Sequence, residues 1–152
     1  MYYFGYGSNL RVSMVKEKLL PSAEIVMKGF LPNYEVQWRM YSPRLQGGTT
    51  CIIEAPGEMV QGVIYECTDD DLRKLDRITD FYIDNLKRET FVVLGEDSQW
   101  HKAELYRLYA PSGPYPPARS YVEGMLEGAK QLGLTPAYIA KIEEWLKERI
   151  GP

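Results

Sequence analysis

The sequence has few of the residues on which metal-bound or disulfide-linked proteins depend. Its 152 residues include two cysteines, Cys51 and Cys67, and a single histidine, His101, far from both. This set cannot supply the clustered ligands of a zinc site. A chain of this length also buries enough surface to form a core without such links. We therefore expect no metal and two free thiols, on two strands that are neighbours in the core.

An excess of positive charge and a long apolar run are also absent. The chain has 18 Lys and Arg against 21 Asp and Glu, a net charge of −3, which argues against nucleic acid as the main partner. No run approaches the ~18 apolar residues of a membrane span, and no basic residue precedes the apolar N-terminus as in a signal peptide. We expect a cytoplasmic protein that binds neither nucleic acid nor membrane.

Strand patterns dominate the first two thirds of the chain. Two strands are expected within Glu24–Trp38, followed by a loop over Met40–Gly48, and Pro56-Gly57 is expected to form a hairpin turn between two central strands. The other expected strands, rich in apolar or β-branched residues, are 1–5, 49–53, 62–67, 88–94 and 102–109.

Helix signals are concentrated towards the end. A short helix is expected over Ser13–Leu20 and another from Asp69, behind the capping residue Thr68. Two more are expected, one from a Ser120–Glu123 capping box to Gly133 and one from Thr135-Pro136 to Gly151. Between strands and helices, 111–117 holds four prolines and predicts an irregular connection. This order favours a single α+β domain that spans residues 1–152.

The segment Tyr6-Gly7-Ser8-Asn9-Leu10 lies where the first strand ends and a helix soon follows. Backbone amides at such a turn can point outward and hold an anion, and glycine lets a ligand approach closely. Ser8 and Asn9 add side-chain donors. The segment therefore predicts a small-carboxylate site, although an ordinary strand-to-helix turn capped by Ser8 or Asn9 fits the same five residues.

These five residues resemble the N-terminal signature of the γ-glutamylcyclotransferase family. Further blocks follow in the family's order: Gly47-Gly48, Pro56-Gly57 with 60–65, Leu72 with Leu75-Asp76, and Tyr121 with Gly128-Ala129, Gly133-Leu134 and Tyr138. The resemblance covers most of the chain. It implies a small mixed β-barrel with flanking helices, and a cavity at one end bordered by the signature loop.

The resemblance also implies a reaction. Family members convert a γ-glutamyl compound to 5-oxoproline and a free amine without a cofactor. The substrate's own α-amine attacks its γ-carbonyl, and one glutamate moves the proton. The position of that glutamate is occupied by Thr79, which cannot accept a proton at neutral pH unaided. Asp80 is the nearest substitute, with Asp84 and Asp76 behind it.

The resemblance assigns substrate binding to Tyr6, Gly7, Ser8, Asn9 and Leu10. Tyr121 matches a further family position near the cavity, although it also fits a core position at the start of a helix. Leu86 departs from the family, which often has tyrosine there. Tyr115 and the proline-rich connection are expected to cover the cavity.

Three functions fit these observations. The first is cleavage of a γ-glutamyl or similar amide by cyclisation, and the second is a member that binds a small carboxylate without turnover. The third is an interface protein that uses a tyrosine-rich surface, which the donor-rich signature loop disfavours. In each of the first two, the partner is a small γ-glutamyl or carboxylate ligand. The oligomeric state stays open, with a homodimer as one option.

Overall fold

A computed structural model describes residues 1–82 and 85–148, with the backbone alone for 79–82. Five strands form the sheet: β1 (Tyr2–Gly5), β2 (Glu24–Ser42), β3 (Gly47–Glu66), β4 (Leu86–Gly95) and β5 (Trp100–Leu108). The helices are α1 (Val12–Met14), α2 (Asp69–Tyr82), α3 (Arg119–Leu132) and α4 (Pro136–Lys147). A 3₁₀ turn (Ser8–Leu10) precedes α1, and a π-helical turn (Val15–Leu19) follows it.

The strands close into a barrel in the order β1-β3-β2-β4-β5. All neighbouring pairs along that order are antiparallel, and a parallel pairing of Tyr3 on β1 with Glu104 on β5 completes the circle. The predicted mixed barrel with flanking helices is therefore confirmed. A closed sheet also leaves no long unpaired edge.

Alternating residues of the strands belong to two separate cores. On β1, Phe4 belongs to the barrel core, while Tyr3 packs under the helices. On β3, Ile64 joins Phe4, and Tyr65 joins Tyr3. Both faces of these strands are thus buried, which explains why 62–67 reads as an apolar run without polar alternation.

The two strands expected within Glu24–Trp38 are one strand, and the hairpin turn expected at Pro56-Gly57 does not form, because β2 and β3 are each continuous. They pair over almost their whole lengths, and the only turn between them is at 43–46. Asn33, with φ of 67°, lies at a register shift in β2, and its side chain accepts a hydrogen bond of 3.1 Å from the amide of Gly57 on β3. Pro56-Gly57 therefore lies where both strands are irregular, and it does not end a strand.

The same continuity corrects the placement of the cysteines. Cys51 lies on β3 and Cys67 directly after it, so they do not occupy two neighbouring strands. Both are free and buried, and burial raises the pKa of each thiol to about 11.

The caps of α2 and α4 match their sequence signals. Thr68 Oγ1 accepts from the amide of Asp71 at 3.0 Å, and the Asp71 carboxylate accepts from the amide of Thr68, also at 3.0 Å. The latter bond lowers the pKa of Asp71. Thr135 caps α4 by accepting from the amide of Tyr138 at 3.3 Å. The expected end of α4 at Gly151 lies outside the described residues.

The Ser120–Glu123 capping box is wrong. Helix α3 begins at Arg119, and Ala118 precedes it with no side-chain cap. The amide of Ala118 instead donates to the carbonyl of Gly48 at 2.9 Å, which fixes the start of α3 against β3. The end is as predicted, with Gly133 in the left-handed region at φ of 70°. No helix in the described ranges is long and apolar enough to span a bilayer.

Candidate active site

A cavity of about 910 Å³ opens where β1 runs into the 3₁₀ turn. Part of its wall comes from the tyrosines of β1 and β5 and from the turn itself. Further parts come from α1, the π-helical turn, α2, the start of β4, the β2–β3 turn with the strand residues beside it, the proline-rich connection and the start of α3. A volume of this size is ample for a small polar metabolite.

Gly7 lies at a crowded point of the cavity wall. A Cβ at this position would overlap with the hydroxyl oxygens of Thr50 and Tyr121. Those two hydroxyls are hydrogen-bonded to each other at 2.7 Å. Glycine is therefore required at this point of the turn by the space that Thr50 and Tyr121 occupy.

The first amides of the 3₁₀ turn take no part in the hydrogen bonds within the turn. The amide of Leu10 donates to the carbonyl of Gly7 at 3.0 Å, and that of Arg11 donates to Ser8 at 3.2 Å. The amides of Gly7, Ser8 and Asn9 come before the first of these bonds, so they have no partner within the turn. All three residues line the cavity.

Asn9 fixes the shape of the turn. Its side-chain amide donates to the hydroxyl of Tyr3, and its carbonyl accepts a 2.8 Å hydrogen bond from Tyr65. Burial raises the pKa of both tyrosines, so their hydroxyls stay protonated at neutral pH. Asn9 thus connects the turn to the two tyrosines that lie beneath the helices.

The remaining residues of the signature differ in position. Tyr6 lines the cavity, and its hydroxyl donates to the carbonyl of Tyr106 at 2.9 Å, which ties the segment after β1 to β5. Leu10, expected at the binding surface, is fully buried in the core under the helices and is not part of the cavity wall. Its carbonyl packs against Gly128 of α3, where a Cβ would overlap with it.

Tyr121 combines the two roles that the sequence left open. Its hydroxyl bonds to Thr50 and its ring lines the cavity, while the ring edge packs on Trp38 at a centroid distance of 5.6 Å. Thr50 itself is a cavity residue that the sequence reasoning missed, although it follows the Gly47-Gly48 block. Tyr3 and Tyr106 were missed as well, since neither carries a local signal.

The proline-rich connection covers part of the cavity, as predicted. Ser112 and Tyr115 line the wall. Their amides donate to the carbonyls of Arg39 and Trp38, each at 2.9 Å, so the connection runs along β2. Tyr115 also packs against Tyr41 at a ring-centroid distance of 5.6 Å.

The candidate bases have different surroundings. Asp76 accepts from Arg88 through both carboxylate oxygens, at 2.9 and 3.2 Å from Nε, and from the Tyr106 hydroxyl at 2.6 Å. These bonds raise the pKa of Arg88 and leave Asp76 occupied as the partner of a cation. The side chains of Thr79 and Asp80, and all of Asp84, lie outside the described residues.

The backbone of α2 still places the two key positions by helical repeat. Position 79 is one turn beyond Leu75, which lines the cavity together with Ile78 and Leu86. Position 80 is one turn beyond Asp76. Leu86, the second departure from the family, therefore contributes to an apolar part of the wall.

Comparison with known proteins identifies the family of the chain. Residues 3–124 match the family model described as Gamma-glutamyl cyclotransferase, AIG2-like. The chain is 26% identical over 149 residues to the Gamma-glutamylcyclotransferase of Mus musculus, covering 93% of this chain and 76% of the mouse protein.

Two solved structures share the fold. One is a Gamma-glutamyl cyclotransferase, with a TM-score of 0.87 and 24% identity over 94% of this chain and 86% of that one. The other is an uncharacterized protein from Homo sapiens, with a TM-score of 0.82 and 24% identity over 93% of this chain and 85% of that one. The barrel with its cavity at the first turn is therefore of the γ-glutamylcyclotransferase type. By its match over residues 3–124, the chain belongs to the Gamma-glutamyl cyclotransferase, AIG2-like family.

Proposed function

We propose that this protein cleaves a γ-glutamyl amide by intramolecular cyclisation, giving 5-oxoproline and a free amine. The α-ammonium of the substrate loses a proton, and the resulting amine attacks the γ-carbonyl carbon. The new ring C–N bond forms as the original amide C–N bond breaks, and the leaving nitrogen takes up a proton. The bond changes need neither an oxidant nor a cofactor.

The observation that carries the proposal is the turn at the cavity wall. Gly7, Ser8 and Asn9 present amides that have no partner within the turn, next to the paired hydroxyls of Thr50 and Tyr121. Amide and hydroxyl donors of this kind suit the α-carboxylate or the γ-carbonyl oxygen of a glutamyl group. Gly7 lets that group approach the backbone.

The proton acceptor is proposed from the position of the family's glutamate. Asp76 is bound by Arg88 and Tyr106, and Thr79 has no carboxylate. We assign the role to Asp80, one residue after the position of the family's glutamate. Its carboxylate would accept the proton from the α-ammonium and return it to the leaving amine.

Release of 5-oxoproline from γ-glutamyl-alanine, followed by chromatography, tests the proposal directly. We expect turnover by the wild-type chain and a rise in melting temperature with millimolar 5-oxoproline. Binding of 5-oxoproline without turnover would contradict the proposal and favour the carboxylate-binding module. If the chain neither binds 5-oxoproline nor releases it from the substrate, both the proposed reaction and the carboxylate-binding module are contradicted.

A further inference from the structure

Two tyrosine rings from separate segments meet at the cavity wall. Tyr41 lies near the end of β2 and Tyr115 in the proline-rich connection, and both line the cavity. Their ring centroids are 5.6 Å apart at an interplanar angle of 58°. Tyr41 is 45% exposed, so much of its surface is open beside a partner ring that is already in place. A further ring can pack on this Tyr41–Tyr115 pair in the way that aromatic side chains cluster in proteins.

Hydrogen bonds fix Tyr115 at its backbone and at its hydroxyl. Its amide donates to the carbonyl of Trp38 at 2.9 Å, and its hydroxyl donates to Ser112 Oγ, also at 2.9 Å. The Ser112 hydroxyl in turn donates to the carbonyl of Arg39 at 3.2 Å. Because the ring has little freedom left to lose, packing a ligand against it carries a small entropic cost.

Gly48 lets the proline-rich connection lie close against the sheet beside Tyr41. It is paired with Tyr41 in the register of β2 and β3. A Cβ at position 48 would lie 3.0 Å from the carbonyl oxygen of Tyr115 and 3.1 Å from its Cβ. A larger side chain at position 48 would therefore push Tyr115 away from Tyr41.

The Tyr41–Tyr115 pair lies within one ligand length of the proposed glutamyl site. Tyr115 packs on Gly48, and Thr50 is two residues further along β3, a rise of about 7 Å. The hydroxyl of Thr50 occupies the space beside Gly7. A γ-glutamyl amino acid extends about 10 Å from its α-carboxylate to the start of its second side chain. A glutamyl group bound at Gly7 therefore leaves the amine half within reach of the two rings.

We propose that Tyr41 and Tyr115 form an aromatic subsite for the amine half of the substrate. The inference rests on the proposed function and narrows its substrate class to γ-glutamyl compounds whose amine half carries an aromatic ring. Such rings attract one another in tilted and edge-to-face arrangements at centroid distances of about 4.5–7 Å. An aliphatic side chain in the same place gains from burial alone.

The test compares the binding of glutaryl-phenylalanine and glutaryl-leucine. Both keep the carboxylate and the amide bond of a γ-glutamyl compound but have no α-amine, so they cannot cyclise and calorimetry measures binding without turnover. Phenylalanine and leucine side chains gain similar free energy on burial, so the ratio of the two dissociation constants reports the contact between rings. We expect the phenylalanine compound to bind the wild-type chain about three- to tenfold more tightly.

Variants identify the rings responsible. Tyr41→Leu and Tyr115→Leu should each lower the preference for the phenylalanine compound, and the double variant should bring the ratio close to one. Tyr41→Phe keeps the ring and should keep the wild-type ratio, which separates the ring from its hydroxyl. Tyr109→Leu is the matched control, because Tyr109 is 66% exposed and is not among the described residues of the cavity wall. It should leave the ratio unchanged, and circular dichroism checks the folding of each variant.

The outcomes separate this inference from the proposed function, which the release of 5-oxoproline from γ-glutamyl-alanine tests. Equal binding of the two glutaryl compounds, or a preference that persists in the double variant, overturns the aromatic subsite even if γ-glutamyl-alanine is cleaved. A preference that depends on Tyr41 and Tyr115, found in a chain that releases no 5-oxoproline, supports the subsite and contradicts the proposed function. Absence of binding by both glutaryl compounds overturns the subsite, whether or not turnover is observed.

Discussion

The hydroxyls of Thr50 and Tyr121, 71 residues apart in the chain, are hydrogen-bonded at 2.7 Å beside Gly7. One comes from β3 and the other from α3, so the bond joins the barrel to the helices at the wall of the cavity. The first two predictions concern this arrangement.

Replacing Gly7 with alanine should weaken 5-oxoproline binding about tenfold and lower the free energy of unfolding by about 1–3 kcal/mol, because the added methyl group forces Thr50 and Tyr121 apart. Calorimetry and urea unfolding measure the two effects. Gly57→Ala is the matched control: Gly57 has φ of 89° and open space around its Cβ position. It should cost about 1 kcal/mol of stability and leave binding unchanged. Normal binding by Gly7→Ala would show that the turn is not part of the site.

The Thr50–Tyr121 bond itself can be measured with a double-mutant cycle. Thr50→Val and Tyr121→Phe each remove one hydroxyl, and Tyr121→Phe keeps the ring that packs on Trp38. We expect a coupling free energy of about 1 kcal/mol from urea unfolding of the two single variants and the double variant. Additive effects would mean that the bond contributes nothing to stability.

Asp76→Asn should lower the free energy of unfolding and leave turnover largely intact. It removes one of the two negative charges that pair with Arg88, the other being Glu104, and leaves a single amide oxygen to accept from Arg88 and from the Tyr106 hydroxyl. We expect a loss of about 1–2 kcal/mol in urea unfolding. Turnover should persist, because this carboxylate is not the proposed base. Asp70→Asn, where the side chain is 90% exposed, should change stability by less than about 0.5 kcal/mol. A folded Asp76→Asn without turnover would move the base to Asp76.

Asp80→Asn and Thr79→Glu test the proton acceptor in opposite directions. If Asp80 is the base, Asp80→Asn should lower kcat by about 10²–10⁴ while the protein stays folded. Thr79→Glu should then help little or reduce the rate, because two carboxylates in one site raise each other's pKa. A faster release of 5-oxoproline by Thr79→Glu would show instead that the wild-type chain lacks an effective base. Circular dichroism of both variants controls for folding.

The buried thiols should make the fold sensitive to alkali. Burial raises the pKa of Cys51 and of Cys67 from 9.0 to about 11. Below pH 9 both states keep the proton, so stability does not depend on these groups. Between pH 9 and 11 the unfolded chain loses the protons that the folded chain retains, and stability falls by roughly 2 kcal/mol per thiol. Urea unfolding at pH 8, 9 and 10 measures the decline.

The double variant Cys51→Ala, Cys67→Ala isolates the thiols from the buried tyrosines, which ionise at higher pH. Its stability should be lower at pH 8 because two small cavities form, and it should decline less between pH 9 and 10. Turnover and ligand binding should be unaffected. An equal decline in both proteins would assign the alkaline sensitivity to other groups.

Local signals predicted the helices better than the long hairpin. Thr68 and Thr135 specify their helix starts through bonds to amides three residues ahead, which depend on nearby sequence alone. Pro56-Gly57 is an equally strong local signal, but the pairing of β3 with β2 on both sides of it decides the structure. The contact between Gly57 and Asn33, 24 residues apart, has no counterpart in the local pattern.

At the candidate site, too, local sequence predicted the turn but not the contacts between distant segments. The motif from Tyr6 to Asn9 predicted the turn and its position at a cavity. Leu10 was misplaced because a continuous motif does not reveal which of its residues faces inward. Thr50 could not be assigned, since its proximity to Gly7, 43 residues earlier in the chain, arises only in the folded barrel.

The strands β2 and β3, of 19 and 20 residues, extend from the barrel to the 43–46 turn beside the cavity. One hairpin therefore forms two strands of the barrel and part of the cavity wall. Since each strand residue advances the backbone by about 3.3 Å, adding one residue pair near the turn would lengthen that part of the wall by a similar distance. The extent of this part of the wall can thus be changed by insertions at 43–46, while the paired positions further along both strands keep their register.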